Sequence, residues 1–381
     1  MIDRRSLLAN GALLSGALFA PRMAWASAPT ERRLVFVIQR GAADGLATLA
    51  PTGDPAYAAL RGELVDIGGG IKLDGMFTLH PALAQLASRY QAGEALFVHA
   101  TASPYRDRSH FDGQNVLETG GKLPYDRDDG WMNRLIGLLP NSDAKALALS
   151  PAIPTALRGP ASVSSYAPTN LPEASSEFLQ RVGRLYAEDP QLHGLWSEAV
   201  QTRAMASLQG DDNGRGAAAA GKLAASLMTG PEGARLVMVE SNGWDTHANQ
   251  RGRLANQLGG LDAMLAALRD GLGPAWADTL VIVATEFGRT AAVNGTGGTD
   301  HGTGGLALLL GGTVKGGRVL ADWPGLGPSA LYEGRDLRPT TPLNRVLAGA
   351  LAGHFGLDPV RAASTLFPGG TGKPLEGLIR T

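Results

Sequence analysis

The sequence predicts an α/β domain with a mostly parallel sheet flanked by helices and a helical or irregular cap inserted near the middle. Three features point there. Five short apolar runs recur along the chain, stretches of helical spacing lie between them, and glycine-rich polar loops adjoin the runs. Leu34 to Ile38 is the first run and ends in the turn Arg40-Gly41-Ala42-Ala43-Asp44-Gly45. Continuous apolar runs of this length fit strands buried on both faces. Pro81 to Tyr90 follows with helical spacing, Leu83, Leu86 and Tyr90 sharing one face. Ala95 to His99, Leu236 to Val239, Leu280 to Val283 and Leu306 to Leu310 supply four more strands. Leu254 to Leu272 carries Leu258, Leu261, Leu265 and Leu268 at helical spacing, so a helix links two of them.

Two stretches break this rhythm. Pro151 to Pro172 is rich in Pro, Ser and Ala and reads as irregular surface chain. Glu173 to Met205 reads as helical, and Gly210 to Gly216 as a flexible break. Residues 151–230 are therefore expected to form a cap on the sheet domain. No internal repeat at a solenoid or propeller period is present.

The first residues concern compartment rather than fold. Arg4 and Arg5 precede the apolar stretch Ser6 to Ala20, which is short for a membrane span, and Ala24-Trp25-Ala26 has the form of a cleavage site. Residues 1–26 are expected to be a twin-arginine signal, with a mature single domain over 27–381, a periplasmic destination and the twin-arginine export machinery as a partner. Beyond the signal no apolar run reaches spanning length. The chain has no cysteine, which excludes thiolate metal sites, iron–sulfur clusters and thiol nucleophiles. A net charge of -1 leaves no basic footprint for nucleic acid.

Chemistry is concentrated beside the strands. Asp44 follows the first run, and Ser103 to Asp112 follows the second. Asp245 and His247 follow the third, Glu286 and Arg289 the fourth, and Asp300-His301 precedes the fifth. In a parallel sheet the loops after strands share one edge, where open α/β sheets bind ligands. Asp44, Asp245, His247, Glu286 and His301 gathered there would hold a divalent cation such as zinc or manganese. Trp131, Trp244 and Tyr105 would be sugar-stacking or core residues. His80, His193 and His354 read as capping, surface or core residues, and His99 is left open. No Gly-x-Ser-x-Gly elbow supports a serine hydrolase built from Ser109, His301 and Asp245.

Several words of the sequence carry a resemblance: Gln39 to Gly45, Tyr105 to Phe111, Gly243 to His247, Thr285 to Thr290 and Asp300 to Gly302. In these the chain resembles the exported family known as domain of unknown function 1501, placed with the alkaline phosphatase-like superfamily of phosphatases, sulfatases and phosphomutases. The resemblance implies an alkaline phosphatase-like core and a metal-dependent hydrolase of phosphate or sulfate esters, acting on a small-molecule or glycan ester. Asp44 would be the early acid of the superfamily. By strict spacing His110 falls on the nucleophile position, and Ser109 fits with one extra residue. Asp245 and His247 would form the later pair, and His301 the last histidine. Glu286 stands where the superfamily has Asp, and Phe287 where it has His, so one metal position is weakened and a single-metal site, or a site with altered chemistry, is expected. The resemblance further implies that Arg289 or Arg106 neutralises the substrate's non-bridging oxygens, with Asp300 orienting His301. The competing expectation is a non-catalytic envelope protein binding a glycan or protein partner in a degenerate site.

Overall fold

A computed structural model describes residues 31–65, 69–139, 145–167, 176–187, 189, 192–197, 199–200, 216–229, 233–370 and 372–380. The expected signal at 1–26 lies outside these residues, as do 201–215 of the expected cap. The strands are β1 Arg33–Gln39, β2 Leu49–Ala50, β3 Ile71–Lys72, β4 Thr78–Leu79, β5 Ala95–Ala102, β6 Ala146–Leu149, β7 Ser164–Ser165, β8 Leu236–Ser241, β9 Thr279–Thr285, β10 Gly305–Leu310, β11 Arg318–Leu320 and β12 Thr341–Pro342. Nine of them form one sheet in the order β11-β5-β10-β9-β1-β8-β6-β7, with β12 also on β5. The other three make a small sheet, β2-β4-β3.

The sheet is parallel except for β10, which runs antiparallel to both neighbours, β5 and β9. Strand β1 sits between β8 and β9 in parallel register with both, and all seven of its residues are buried. Its side chains alternate between two cores, as a period of two requires. Leu34, Phe36 and Ile38 join the core that includes Trp131 and the helix Leu343–Phe355. Val35 and Val37 join the core beneath the helices Ala84–Gln91, Ala217–Met228 and Gln250–Leu272. The architecture is three-layered, with helices on both faces of a mostly parallel sheet.

Each of the five apolar runs becomes a strand. The expected helix at Pro81 begins as a single 3-10 turn, Pro81–Leu83, capped by His80 Nδ1 accepting from Ala82 N, and continues as Ala84–Gln91. The helix expected from Leu254 starts earlier, at Gln250.

Of the described parts of 151–230, residues 155–165 and the helix Ala217–Met228 are built into the sheet layers. Ala156 and Leu157 are buried in the first core, and β7 extends the sheet beside β6. Ala217–Met228 lies so close to the helix Gln250–Leu272 that a Cβ on Gly221 would collide with the Met264 carbonyl. Their apolar faces cover the sheet.

Candidate metal centre

The ends of β1, β5, β8 and β9 share one edge of the sheet. Loops leaving these strands carry Asp44, His110, Asp245 with His247, and Glu286 to the same rim. His301 reaches that rim for a different reason. It lies before β10, and because β10 is antiparallel, its entry is at the edge where the other strands exit. A wholly parallel sheet would have put His301 on the far side.

Three side chains converge, with His247 beside them. His110, Asp245 and His301 offer ligand atoms all within 4.8 Å of one another. His301 Nε2 is 2.9 Å from His110 Nε2 and 3.0 Å from His247 Nε2. The Asp245 carboxylate stands 2.9 Å from His247 Nε2, 3.3 Å from His301 Nε2 and 3.4 Å from His110 Nε2. Ligands sharing one zinc ion at ordinary bond lengths stand about 3.3 Å apart, so the spacing suits a single cation.

The outer nitrogens explain why a cation fits. His110 Nδ1 is 2.8 Å from Glu286 Oε1, His247 Nδ1 is 3.1 Å from Asp300 Oδ1, and His301 Nδ1 is 3.0 Å from the Arg108 carbonyl. A carboxylate or carbonyl oxygen can only accept, so each Nδ1 donates and each neutral ring turns a lone pair inward from Nε2. Such lone pairs facing a carboxylate repel unless a metal ion or a shared proton lies among them. This pairing of an inward nitrogen with an outward oxygen partner is the usual arrangement around metal-ligating histidine.

Each ligand is fixed locally. His110 is the first residue of the helix His110–Thr119, and its ring stacks on Phe287 at 5.1 Å between centroids. The Glu286 side chain is wholly buried and its Oε1 accepts from Gly41 N, Gln114 Nε2 and His110. Burial raises the Glu286 pKa, but the bonds from His110 and Gln114 outweigh it and hold the group below its ordinary value. The bond to Glu286, foremost, raises His110 above the ordinary histidine value. His301 is lowered, first by burial and then by the nearby His110. Asp245 also ends below its ordinary value: burial opposes this, but Arg289 and the histidines prevail. Gly41 makes the approach feasible, since with φ +113 a Cβ there would lie 2.6 Å from Asp245 N.

Several expected roles are corrected. Asp44 is not turned toward the cluster. It caps the short helix Gly45–Thr48 through Ala47 N, pairs with the fully buried Arg61, and accepts from Gln250 Nε2 at 2.5 Å. A buried carboxylate with these partners has no lone pair directed at the rim. Glu286 orients His110 instead of joining the ligand atoms. Asp300 serves His247, not His301. Arg289 does not present a fork to solvent: Nη1 donates to Asp245 at 2.6 Å, Nε to Thr299 Oγ1 at 3.1 Å, and Nη2 to the Thr299 carbonyl. Arg106 folds back onto the carbonyls of Ser103 and Tyr105. His110 belongs with the ligand atoms, which removes it from the nucleophile position. Ser109 remains beside it as the N-cap, with a side chain that does not cap the helix.

Trp131, Trp244 and Tyr105 are buried, so none of them is a sugar-stacking platform. His99 and His354 are buried structural residues. Sequence reasoning missed Arg108 as the partner of His301 and Gln114 as a partner of Glu286. Arg108 lies within the Tyr105 to Phe111 word, but nothing local marks its carbonyl as an acceptor. The openness of the site is shown by Asp245 and His247, whose side chains are 40% and 45% exposed. No helix among the described residues is long and apolar enough to cross a membrane.

Comparison with known proteins gives one family match. Residues 99–365 match the family described as Protein of unknown function (DUF1501). No curated protein matches the chain. Among solved structures, the alkaline phosphatase from the Antarctic bacterium TAB5 is 13% identical, covers 77% of this chain and 95% of its own, and has a TM-score of 0.37. The C-terminal periplasmic domain of EcEptC from Escherichia coli, in complex with Zn, is 10% identical, with coverage of 75% and 74% and a TM-score of 0.38. A protein in the alkaline phosphatase superfamily from Vibrio parahaemolyticus is 12% identical, with coverage of 77% and 62% and a TM-score of 0.33. Likeness of this size carries no inference about chemistry, which rests on the residues themselves.

Proposed function

The chain belongs to the DUF1501 family, and from that premise we propose that it is an exported, metal-dependent hydrolase of phosphate or sulfate esters. One observation carries the reading: the Nε2 atoms of His110 and His301 converge with the Asp245 carboxylate, His247 Nε2 stands beside the last two, and each imidazole Nδ1 is held by an oxygen acceptor. Two imidazoles with a carboxylate, and a third imidazole within reach, suit zinc, and the same donors accept manganese. Bound there, the cation would polarise an ester oxygen and lower the pKa of a coordinated water.

The protein's own contribution is rigidity and charge. Arg289 fixes Asp245 and offsets its negative charge. Glu286 and Asp300 keep His110 and His247 in the tautomer that leaves Nε2 free. The attacking oxygen comes from water or from Ser109, and Ser109→Ala distinguishes the two. Export by the twin-arginine route is the remaining part of the proposal. It rests on Arg4, Arg5 and the apolar stretch Ser6 to Ala20, and is tested by whether the chain leaves the cytoplasm in cells lacking that translocase.

The main test is metal analysis of the protein purified without chelator, together with assays on aryl phosphate and aryl sulfate esters. Near-stoichiometric metal and turnover removed by chelator support the reading; an absence of metal defeats it. A second reading, binding of a glycan or protein ligand at a degenerate site, is favoured by the arginines. Arg106, Arg108 and Arg289 all give guanidinium nitrogens to protein oxygens, so none of the three is presented as an uncommitted clamp for a substrate anion. That reading predicts no turnover across the ester panel.

A further inference from the structure

We propose that Asp336 is a positioning residue for the metal centre, setting the tautomer of His301 through Arg108. The inference rests on the metal-centre reading above and adds a residue far from the ligands in sequence.

Arg108 is the link. Its carbonyl accepts from His301 Nδ1 at 3.0 Å, which leaves His301 Nε2 free to face the other ligands. The carbonyl points there because Arg108 adopts φ 61, a left-handed conformation uncommon for a residue with a side chain. Such a conformation persists only when its surroundings over-determine it, and it recurs at functional sites. Here the fixing group is Asp336. Its Oδ2 accepts from Arg108 Nε at 3.0 Å and Nη2 at 2.8 Å, a two-pronged pairing that sets direction as well as distance. The same oxygen accepts from Thr303 Oγ1 at 2.7 Å, two residues beyond His301. Asp336 is fully buried, so water does not compete for these bonds.

The turn that carries Asp336 holds His301 a second time. Arg335 Nη2 donates to the His301 carbonyl, and Arg335 Nε stands 3.1 Å from Asp336 Oδ1. Glu333, itself at φ 52, pairs with Arg108 Nη2 at 2.5 Å. Residues 333–336 therefore grip both ends of one hydrogen bond: the arginine that accepts it and the histidine that donates it. Outer partners of this kind contribute to metal affinity without touching the ion.

The test uses the full purified chain and reads the histidine directly. In metal-free protein with 15N-labelled histidine, His301 is expected to carry its proton on Nδ1. Asp336→Asn should shift that ring toward the Nε2-protonated tautomer. Zinc affinity, measured by competition with a chelating dye, should fall about 10- to 100-fold. Should Asp336→Asn fail to fold, Arg108→Leu reports the same link through a less buried side chain and should shift both readouts in the same direction. Asp262→Asn is the control, a buried carboxylate that instead accepts from Gln85 N and Leu86 N; it should leave tautomer and zinc affinity unchanged. An Nδ1 without a proton in the wild type, or a tautomer and affinity untouched by both variants, overturns the proposal. So does an equal loss of affinity in Asp262→Asn. If the wild type takes up no zinc but its His301 tautomer still depends on Asp336, the metal-centre reading fails while the positioning link stands.

Discussion

Two groups of histidine occupy the same molecule and differ in what their ring nitrogens meet. His99 and His354 lie in the interior with both nitrogens matched. His99 Nε2 stands 3.0 Å from the Leu49 carbonyl and its Nδ1 accepts from Ala100 N. His354 Nε2 stands 2.9 Å from the Arg33 carbonyl and its Nδ1 3.0 Å from Thr313 Oγ1. His110, His247 and His301 have the outer nitrogen matched to an oxygen, while the inner nitrogens of His110 and His247 face that of His301 and all three border the Asp245 carboxylate. The difference teaches that burial and proximity to a strand end do not identify a functional histidine. The identifying sign is a nitrogen whose lone pair is kept free by what the opposite nitrogen does.

The sharpest way to break this contrast is to disturb each group in turn. Asp245→Ala or His301→Ala should abolish bound metal and reduce ester turnover to about a hundredth or less, with the fold retained by circular dichroism. If metal content survives either change, the inward nitrogens are not a ligand set. His99→Ala should do the opposite, costing about 3 kcal/mol in denaturant unfolding while leaving metal per folded molecule unchanged.

Acid separates the groups in another way. Burial lowers the His99 pKa from 6.5 to about 4 and that of His354 from 6.5 to about 3. The unfolded chain then binds protons more readily than the folded one. Stability is complete above about pH 6.5 and declines as pH falls toward 4, by about 3 kcal/mol for His99 alone. Urea midpoints measured between pH 7 and pH 4 should fall, and fall less in His99→Gln. An unchanged slope in that variant would mean that His99 is not held neutral. The smallest effect expected is that of Glu286→Gln, which keeps an acceptor near His110 but removes its charge. Metal affinity should drop about tenfold with stability nearly unaltered, and a drop no larger than that of Asp262→Asn would make Glu286 merely structural.

Much of the framework was legible because strands buried on both faces are continuous apolar runs; Leu34 to Ile38 needs no context to be read as one. The direction of β10 was not legible. Nothing in Leu306 to Leu310 distinguishes an antiparallel strand from a parallel one, and His301 was assigned to the correct rim on the assumption of a parallel sheet. Asp245, His247 and His301 were readable as candidate ligands from residue type and position. Asp44 was misread because its partners, Arg61 and Gln250, are invisible from its own loop. Arg289 was misread for a related reason: a cation beside acids in a loop looks like a substrate clamp until the carbonyl and hydroxyl of Thr299 occupy it. Such pairings depend on tertiary closure, not on local pattern.

The reversed strand also ties the rim to the middle of the sheet. β10 lies between β5 and β9, and His301 stands at the rim because Gly305–Leu310 enters the sheet there. A bound ion would join the entry of this central strand to the loops that leave its neighbours. It would act as a latch across the sheet edge, making the folded chain slower to open than its apolar core alone would make it.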